Sequence, residues 1–501
     1  MTKPPDGYLG AEGLLASGPS PRLVEAGYAL ELADAAFLHQ GLSLADLAHV
    51  MELDAIGVLP AGTAGRLCRE LLAFWSTPVD EFPYDSLFGD AYNSRERELE
   101  KRLGAVAGWL PTGRTRREAG RIALRIALRK RLLHLHEAVA DLATVLVAKG
   151  EGLAEAVYND TTYLQPAQPS TFGYYLCGFA EQATRDLERI KLCHRWVNRS
   201  PAGSGGVGGT TIPLDRDRLA SRLGFDEPLG HIRDGMWSAD VMVDAALASW
   251  QAVLTLDRLA EDLEIFASPQ FGYIRLAGSS SRASVLLPQK RNPYALSVIR
   301  GGAGTLIGKV TGLMATQRTP SARTDNWLYA YGEVISAVEM ASRLVRLGGQ
   351  VVRDMEVDVE TLADSAGENY SVAADWAERL VLGLGFDYRS AYRVVARAVA
   401  GVDAAGGRCP TGEDLRRAAQ EVGANSDADF EAVLAGIEGM SALVALRDAP
   451  GSSAPSRVME HCRSVEEKVA GARRWSADVS ARIDAAEARL LATASGIAGE
   501  E

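Results

Sequence analysis

The chain has 501 residues, long enough for two or three domains. Hydrophobic residues make up 47% and charged residues 24%, the balance of a globular protein, and a net charge of −12 argues against a nucleic-acid partner. The five cysteines (Cys68, Cys177, Cys193, Cys409, Cys462) are scattered, which gives no zinc pattern and suggests free thiols in a reducing compartment. The first residues, Met1 to Gly10, lack the charged-then-apolar order of a signal sequence, and no apolar run is long enough for a membrane span. The expectation is a soluble, cytoplasmic protein with no membrane partner, no metal and no cofactor.

In chain order, Arg22 to Trp75 is predicted as short helices, with Leu44, Leu47, Val50, Met51 and Val58 at helical spacing and Gly57 and Pro60 as punctuation. Tyr92 to Trp109 continues in helix until Pro111-Thr112-Gly113. Arg116 to Lys149 contains no proline and one early glycine, and Ile122, Ile126, Leu133, Val139, Leu142 and Leu146 fit one long helix. Thr171 to Arg199, Ser238 to Ser268 and Pro293 to Thr316 are further long helices; Trp250, Val253, Leu256, Leu259 and Leu263 mark the stripe of the middle one. Helices of this length bury themselves best against one another, so a long bundle is expected. Gly203-Ser204-Gly205-Gly206-Val207-Gly208-Gly209 is read as a mobile link, not a dinucleotide loop, because Thr210 to Pro213 does not open a helix. After Ala363 the chain reads as a smaller helical domain. The domain expectation is 1–115, 116–363 and 364–501.

Three distant stretches put polar side chains near the start of a long helix, where backbone N–H groups favour anions. They are Thr112 to Glu118, Thr161 to Pro169, and Ala283 to Pro293, the last preceded by Gly278-Ser279-Ser280-Ser281. Each alone could be a helix cap or a solvated turn. Together they suggest one anion pocket assembled from remote segments.

These stretches resemble the three signature regions of argininosuccinate lyase, in the fumarase/aspartase superfamily. The family's third region reads Gly-Ser-Ser-x-Met-Pro-x-Lys-x-Asn-Pro, against Ala283-Ser284-Val285-Leu286-Leu287-Pro288-Gln289-Lys290-Arg291-Asn292-Pro293 here. Its first, Thr-Gly-Arg-Ser-Arg-Asn-Asp, corresponds to Thr112 to Glu118; its second, Thr-His-Leu-Gln-x-Ala-Gln-Pro, to Thr162 to Pro169. Gly203 to Arg216, Arg258 to Leu263, Phe386 to Val399 and Gly451 to Val458 also match, in the same order.

The resemblance implies an all-α, three-domain fold with a central bundle of long helices. It implies a homotetramer with a twenty-helix core, and active sites drawing the three regions from three subunits. The implied chemistry is anti elimination of fumarate from an N-substituted aspartate through an aci-carboxylate. By position Ser284 is the base, Tyr163 takes the place of the family histidine, and Lys290 is the third catalytic residue. Thr115, Arg116, Arg117, Thr162, Gln165, Asn292, Arg323 and Tyr331 are the substrate-binding candidates.

The departures redirect the expected substrate. A tyrosine hydroxyl, ordinarily titrating at ~10, is a weaker acid than a histidine imidazolium. An earlier family histidine is Tyr92, and region one ends in Arg117-Glu118. After Pro320-Ser321, where the family carries Tyr, Gln and Lys as amine contacts, stand Arg323, Leu328 and Tyr331. Sites that read hydrogen bonds lose selectivity heavily when polar partners are lost, so argininosuccinate itself is not the expected substrate. The seven histidines all read as structural. The leading function is a carbon–nitrogen lyase acting on an N-succinyl amine. A cycloisomerase on the same scaffold, which would also carry an aromatic residue at the position of Tyr163, and an inactive homologue are the alternatives.

Overall fold

A computed structural model describes residues 18–318, 328–407, 409–425, 427–434 and 439–499. The N-terminal part is built on α1 (Ala35–Ala55), α2 (Thr63–Ser76) and α3 (Ala91–Leu103). The first of these is a single 21-residue helix where short helices were expected. It is buried almost throughout, and packing on the bundle overrides the cost of an interior glycine at Gly41. The expected punctuation holds at its end, where Gly57 adopts φ 70°.

The centre is all helical bundle. α4 (Arg116–Gly152) has 37 residues, about 55 Å at 1.5 Å per residue. Thr115 caps it, its Oγ1 accepting from Glu118 N at 3.4 Å. At the other end Lys149 Nζ donates to the Met355 carbonyl at 2.6 Å. Along α4 run α5 (Phe172–Val197) and α8 (Tyr331–Asp354), with α6 (Asp240–Phe266) and α7 (Tyr294–Gln317) packed on these. The predicted stripes face inward: Ile122, Ile126, Leu142, Leu146, Leu256, Leu259 and Leu263 are all buried. Each such side chain contributes roughly 1.5–3 kcal/mol relative to exposure.

Among the described residues two hairpins interrupt the helices, and neither was expected. β1 (Val157–Thr162) pairs antiparallel with β2 (Gln165–Thr171), and the much shorter β3 (Arg282–Ala283) with β4 (Arg291–Asn292). An aromatic cluster roots the first hairpin on the bundle: Tyr158 meets Phe172 at 5.5 Å and Tyr273 at 6.4 Å between ring centroids. Gly173 lets α5 start directly against the end of α4, since a Cβ there would fall 2.4 Å from the Gly150 carbonyl oxygen.

The C-terminal part holds α9 (Ala373–Leu384), α10 (Tyr388–Ala404) and α11 (Gly412–Glu421) around their own core of Trp376, Leu380, Val394, Leu415 and Phe430. α12 (Pro455–Gly499) leaves that core. It runs back along α5, α4 and α2, setting Val458, Val465 and Val469 in the bundle core and Leu490 and Ala494 in the N-terminal one. The division at 115 and 363 stays a proposal, within which the last helix is shared. No helix among the described residues is long and apolar enough to cross a membrane.

Candidate active site

Region one sits on a buried ionic floor. Arg114 pairs with Asp46 at 2.5 Å and donates to the Ala45 carbonyl at 3.0 Å. Arg116 pairs with Asp90 at 2.8 Å, and both Arg116 and Arg117 lie within ion-pair distance of Glu31, at 3.6 and 3.5 Å. Glu118 is buried and accepts from the backbone amides of Gly203 and Gly205 at 2.7 and 2.5 Å. Burial pushes its pKa up to about 7, against the pull of Arg114 and of those two amides. Thr115 Oγ1 adds a bond to the Gly205 carbonyl at 3.3 Å.

This corrects the reading of the glycine-rich stretch as a mobile link. Gly203, Ser204 and Gly205 are buried and docked on the start of α4. Gly205 has φ 62°, and a Cβ on it would lie 2.9 Å from the Gly209 carbonyl oxygen. The glycines are there for tight folding against Glu118.

Region two is the β1–β2 hairpin. Thr162 and Gln165 pair across its tip, both exposed, and the intervening Tyr163 and Leu164 have φ 57° and 59°. A two-residue hairpin turn with positive φ at both positions is normally built from Asn and Gly. Here two bulky side chains hold that conformation, a strain of the kind that gathers at functional loops. Tyr163 is 98% exposed, so its hydroxyl stands clear of the chain's own core.

Region three is the β3–β4 hairpin, leading into α7. Ser284 N donates to the Lys290 carbonyl at 3.3 Å, and Leu287 N donates to Ser284 Oγ at 3.0 Å. An amide aimed at that oxygen favours its anionic form, the direction a serine base needs. Asn292 Nδ2 donates to the Arg282 carbonyl at 3.0 Å, and Lys290 is exposed. Val285 and Leu286 project from the tip, 107% and 85% exposed. Pro293 gives α7 no side-chain cap, and Leu296 N and Ser297 N donate to the Pro293 carbonyl at 3.1 and 3.4 Å.

The structure brings Arg116, Arg117 and Tyr331 together around a cavity of about 40 Å³, with Leu328 and Tyr92 also in its wall. Tyr331 is buried, with the Arg121 guanidinium 5.6 Å from its ring centroid. Among the described residues no hydrogen bond or ion pair joins Ser284, Lys290 or Asn292 to Thr115, Arg116, Thr162, Tyr163 or Gln165. Arg323 lies outside the described residues. Sequence reasoning passed over Glu31, Asp34 and Asp90, which line the same cavity; the only signals were two acidic residues three apart, Glu31 and Asp34, and a helix-capping Asp90, both common on any surface. His39 and His49 make internal bonds, to Tyr84 at 2.7 Å and to the Thr112 carbonyl at 2.9 Å.

A curated relative, argininosuccinate lyase 1 of Mesorhizobium japonicum, is 31% identical over 356 residues, 71% of this chain and 76% of its own length. The chain belongs to the argininosuccinate lyase-like branch of the fumarase/aspartase superfamily. It is a carbon–nitrogen lyase of that superfamily. The argininosuccinate lyase of Methanoculleus marisnigri is 28% identical over 458 residues, 89% of this chain and 91% of its own length. A family model described as a lyase matches residues 61–308. Among solved structures, an EDDS lyase variant with bound fumarate superposes with a TM-score of 0.83 at 25% identity, covering 99% of this chain and 98% of that one. The 3-carboxy-cis,cis-muconate lactonizing enzyme of Pseudomonas putida, at 18% identity, shares the superfamily fold: TM-score 0.65, covering 89% of this chain and all of that one. The three signature stretches thus lie in an argininosuccinate lyase-like framework, but with Tyr163 where that branch's signature carries histidine.

Proposed function

We propose that this lyase eliminates fumarate from an N-substituted aspartate, or runs the reverse addition of an amine to fumarate. Ser284 takes the proton from the carbon beside a carboxylate. The electron pair moves onto that carboxylate as an aci-carboxylate, then forms the fumarate double bond as the C–N bond breaks. Tyr163 supplies the proton to the departing nitrogen. Lys290 and Asn292 hold the carboxylates at the start of α7; Thr115, Arg116, Arg117, Thr162, Gln165 and Tyr331 fix the rest of the substrate, with Arg323 proposed from sequence alone. The observation that supports this best is the amide of Leu287 donating to Ser284 Oγ at 3.0 Å in an exposed hairpin tip. The fumarate seen bound to the EDDS lyase variant supports the dicarboxylate.

The site is completed by other copies of the chain in a homotetramer. That would explain why Tyr163 and the Val285–Leu286 tip face solvent within one chain. It would also explain the outer face of α7, where Val298, Ile307 and Met314 are exposed and, among the described residues, nothing lies within 4 Å of where a Cβ would stand on Gly301, Gly304 or Gly308. Fumarate release, followed by its ultraviolet absorbance over a panel of N-succinyl amines, tests the reading. Ser284→Ala should lower turnover by at least ~10²–10³ while fumarate still binds by calorimetry. A chain that neither binds fumarate nor releases it from any N-succinyl amine would refute the proposal. Turnover of muconate-type substrates without fumarate would favour the cycloisomerase.

A further inference from the structure

The hairpin of region two is exposed at its tip and anchored at its base. Thr162, Tyr163, Leu164 and Gln165 face solvent, while Asn159 and Pro169, a cross-strand pair nearer the bundle, are buried. Strand β2 is a weak partner for β1 by itself, because Pro166 and Pro169 bring no N–H to the ladder. The C-terminal part of the chain holds both strands at this pair. On β1, the Asn159 amide donates to Ser365 Oγ at 3.2 Å, and Asn159 Nδ2 donates to the Glu368 carbonyl at 3.4 Å. On β2, the Pro169 carbonyl accepts from Arg447 Nη1.

Arg447 follows the short helix Met440–Ala445. Its second amino group meets both carboxylate oxygens of Asp375, at 2.7 and 2.9 Å. Asp375 lies in the first turn of α9, 6% exposed, next to the core residue Trp376. One guanidinium therefore ties the backbone of β2 to a carboxylate buried at the edge of the C-terminal core. Neither Arg447 nor Asp375 belongs to the three signature stretches.

We propose that Arg447 is a positioning residue for the elimination: through Asp375 it fixes β2, and with it Thr162, Tyr163 and Gln165, to the C-terminal core. This deepens the lyase reading above and rests on it. Arginine suits the task because its planar fork serves a carboxylate and a carbonyl at once, which a lysine ammonium, a compact point charge, does not reproduce. A misplacement of about 1 Å at a reacting group can cost ~10²-fold in rate. A hairpin released from this anchor therefore shows in turnover even where the fold is intact.

The test uses the full chain with Arg447→Lys, which keeps a positive charge beside Asp375, and Asp375→Asn, which loosens the same anchor from the other side. Arg397→Gln is the control: it breaks an exposed pair with Glu421 in the same part of the chain without touching the hairpin. Deuterium exchange of the segment 157–171, the urea midpoint, fumarate affinity by calorimetry, and kcat and KM on the N-succinyl amine cleaved fastest in the panel above are measured for each. In Arg447→Lys exchange in the hairpin should quicken by at least ~10-fold at an unchanged urea midpoint. Its kcat should fall ~10–10²-fold, while fumarate, held by region three, binds within about twofold of the parent. Asp375→Asn should move the same readouts in the same direction, and Arg397→Gln should move none. Unchanged hairpin exchange and kcat in both anchor variants, a loss of kcat that only tracks a lowered urea midpoint, or an equal loss in Arg397→Gln would each overturn the proposal. Failure of the lyase reading looks different: the parent would release no fumarate from any N-succinyl amine, whatever the exchange of the hairpin.

Discussion

Replacing Glu118 by glutamine removes an ionisable group from the junction of region one and the glycine-rich segment. In the folded chain burial holds its pKa at about 7, against an ordinary 4.5. As pH rises through 4.5 an unfolded chain releases this proton while the folded chain keeps it until about pH 7. In that window the folded state binds more protons, so stability falls with rising pH; above it the slope vanishes. A rise from 4.5 to about 7 corresponds to about 3 kcal/mol for this almost fully buried group. Glutamine cannot ionise and keeps one acceptor for the Gly203 or Gly205 amide. Urea unfolding of both proteins between about pH 5 and pH 8 isolates this residue, because other groups cancel in the difference. The glutamine variant should gain on the parent by about 3 kcal/mol across that range. A flat difference would refute the argument that burial outweighs Arg114 and the two amides.

Gly205→Ala, at φ 62° with its Cβ 2.9 Å from the Gly209 carbonyl oxygen, should unseat the segment from Glu118. A loss of about 1–3 kcal/mol in unfolding free energy and a lower kcat are expected; an unchanged protein would mean the segment is not held there. Among the described residues, Arg114→Met leaves Asp46 with only the more distant Arg95 as an ion-pair partner, at 3.6 Å. That should cost about 3–5 kcal/mol, and the double change Arg114→Met with Asp46→Leu should recover much of it in the same unfolding assay.

The bundle was legible because its helices lack internal proline and carry apolar stripes at 3.6-residue spacing, as in the run from Ile122 to Leu146 that is buried in the fold. The hairpin of region two was not. Tyr163-Leu164 contains neither glycine nor asparagine, so nothing local announces a turn with positive φ. The docking of Gly203 and Gly205 was hidden for another reason: their acceptor, Glu118, is 85 and 87 residues away. The motif residues Ser284, Lys290 and Asn292 could be picked out from spacing alone. The cavity around Asp34 could not, since its walls come from four segments that meet only once the helices have packed.

The returning helix α12 has a consequence for biosynthesis. Leu490 and Ala494 fill the apolar interior shared by Leu47, Leu67 and Phe74. The helices carrying Leu47, Leu67 and Phe74 therefore hold an open groove until residues beyond 490 have left the ribosome. Those helices wait, greasy side uncovered, while every residue in between is made, and are open to chaperones or to mispairing in the meantime.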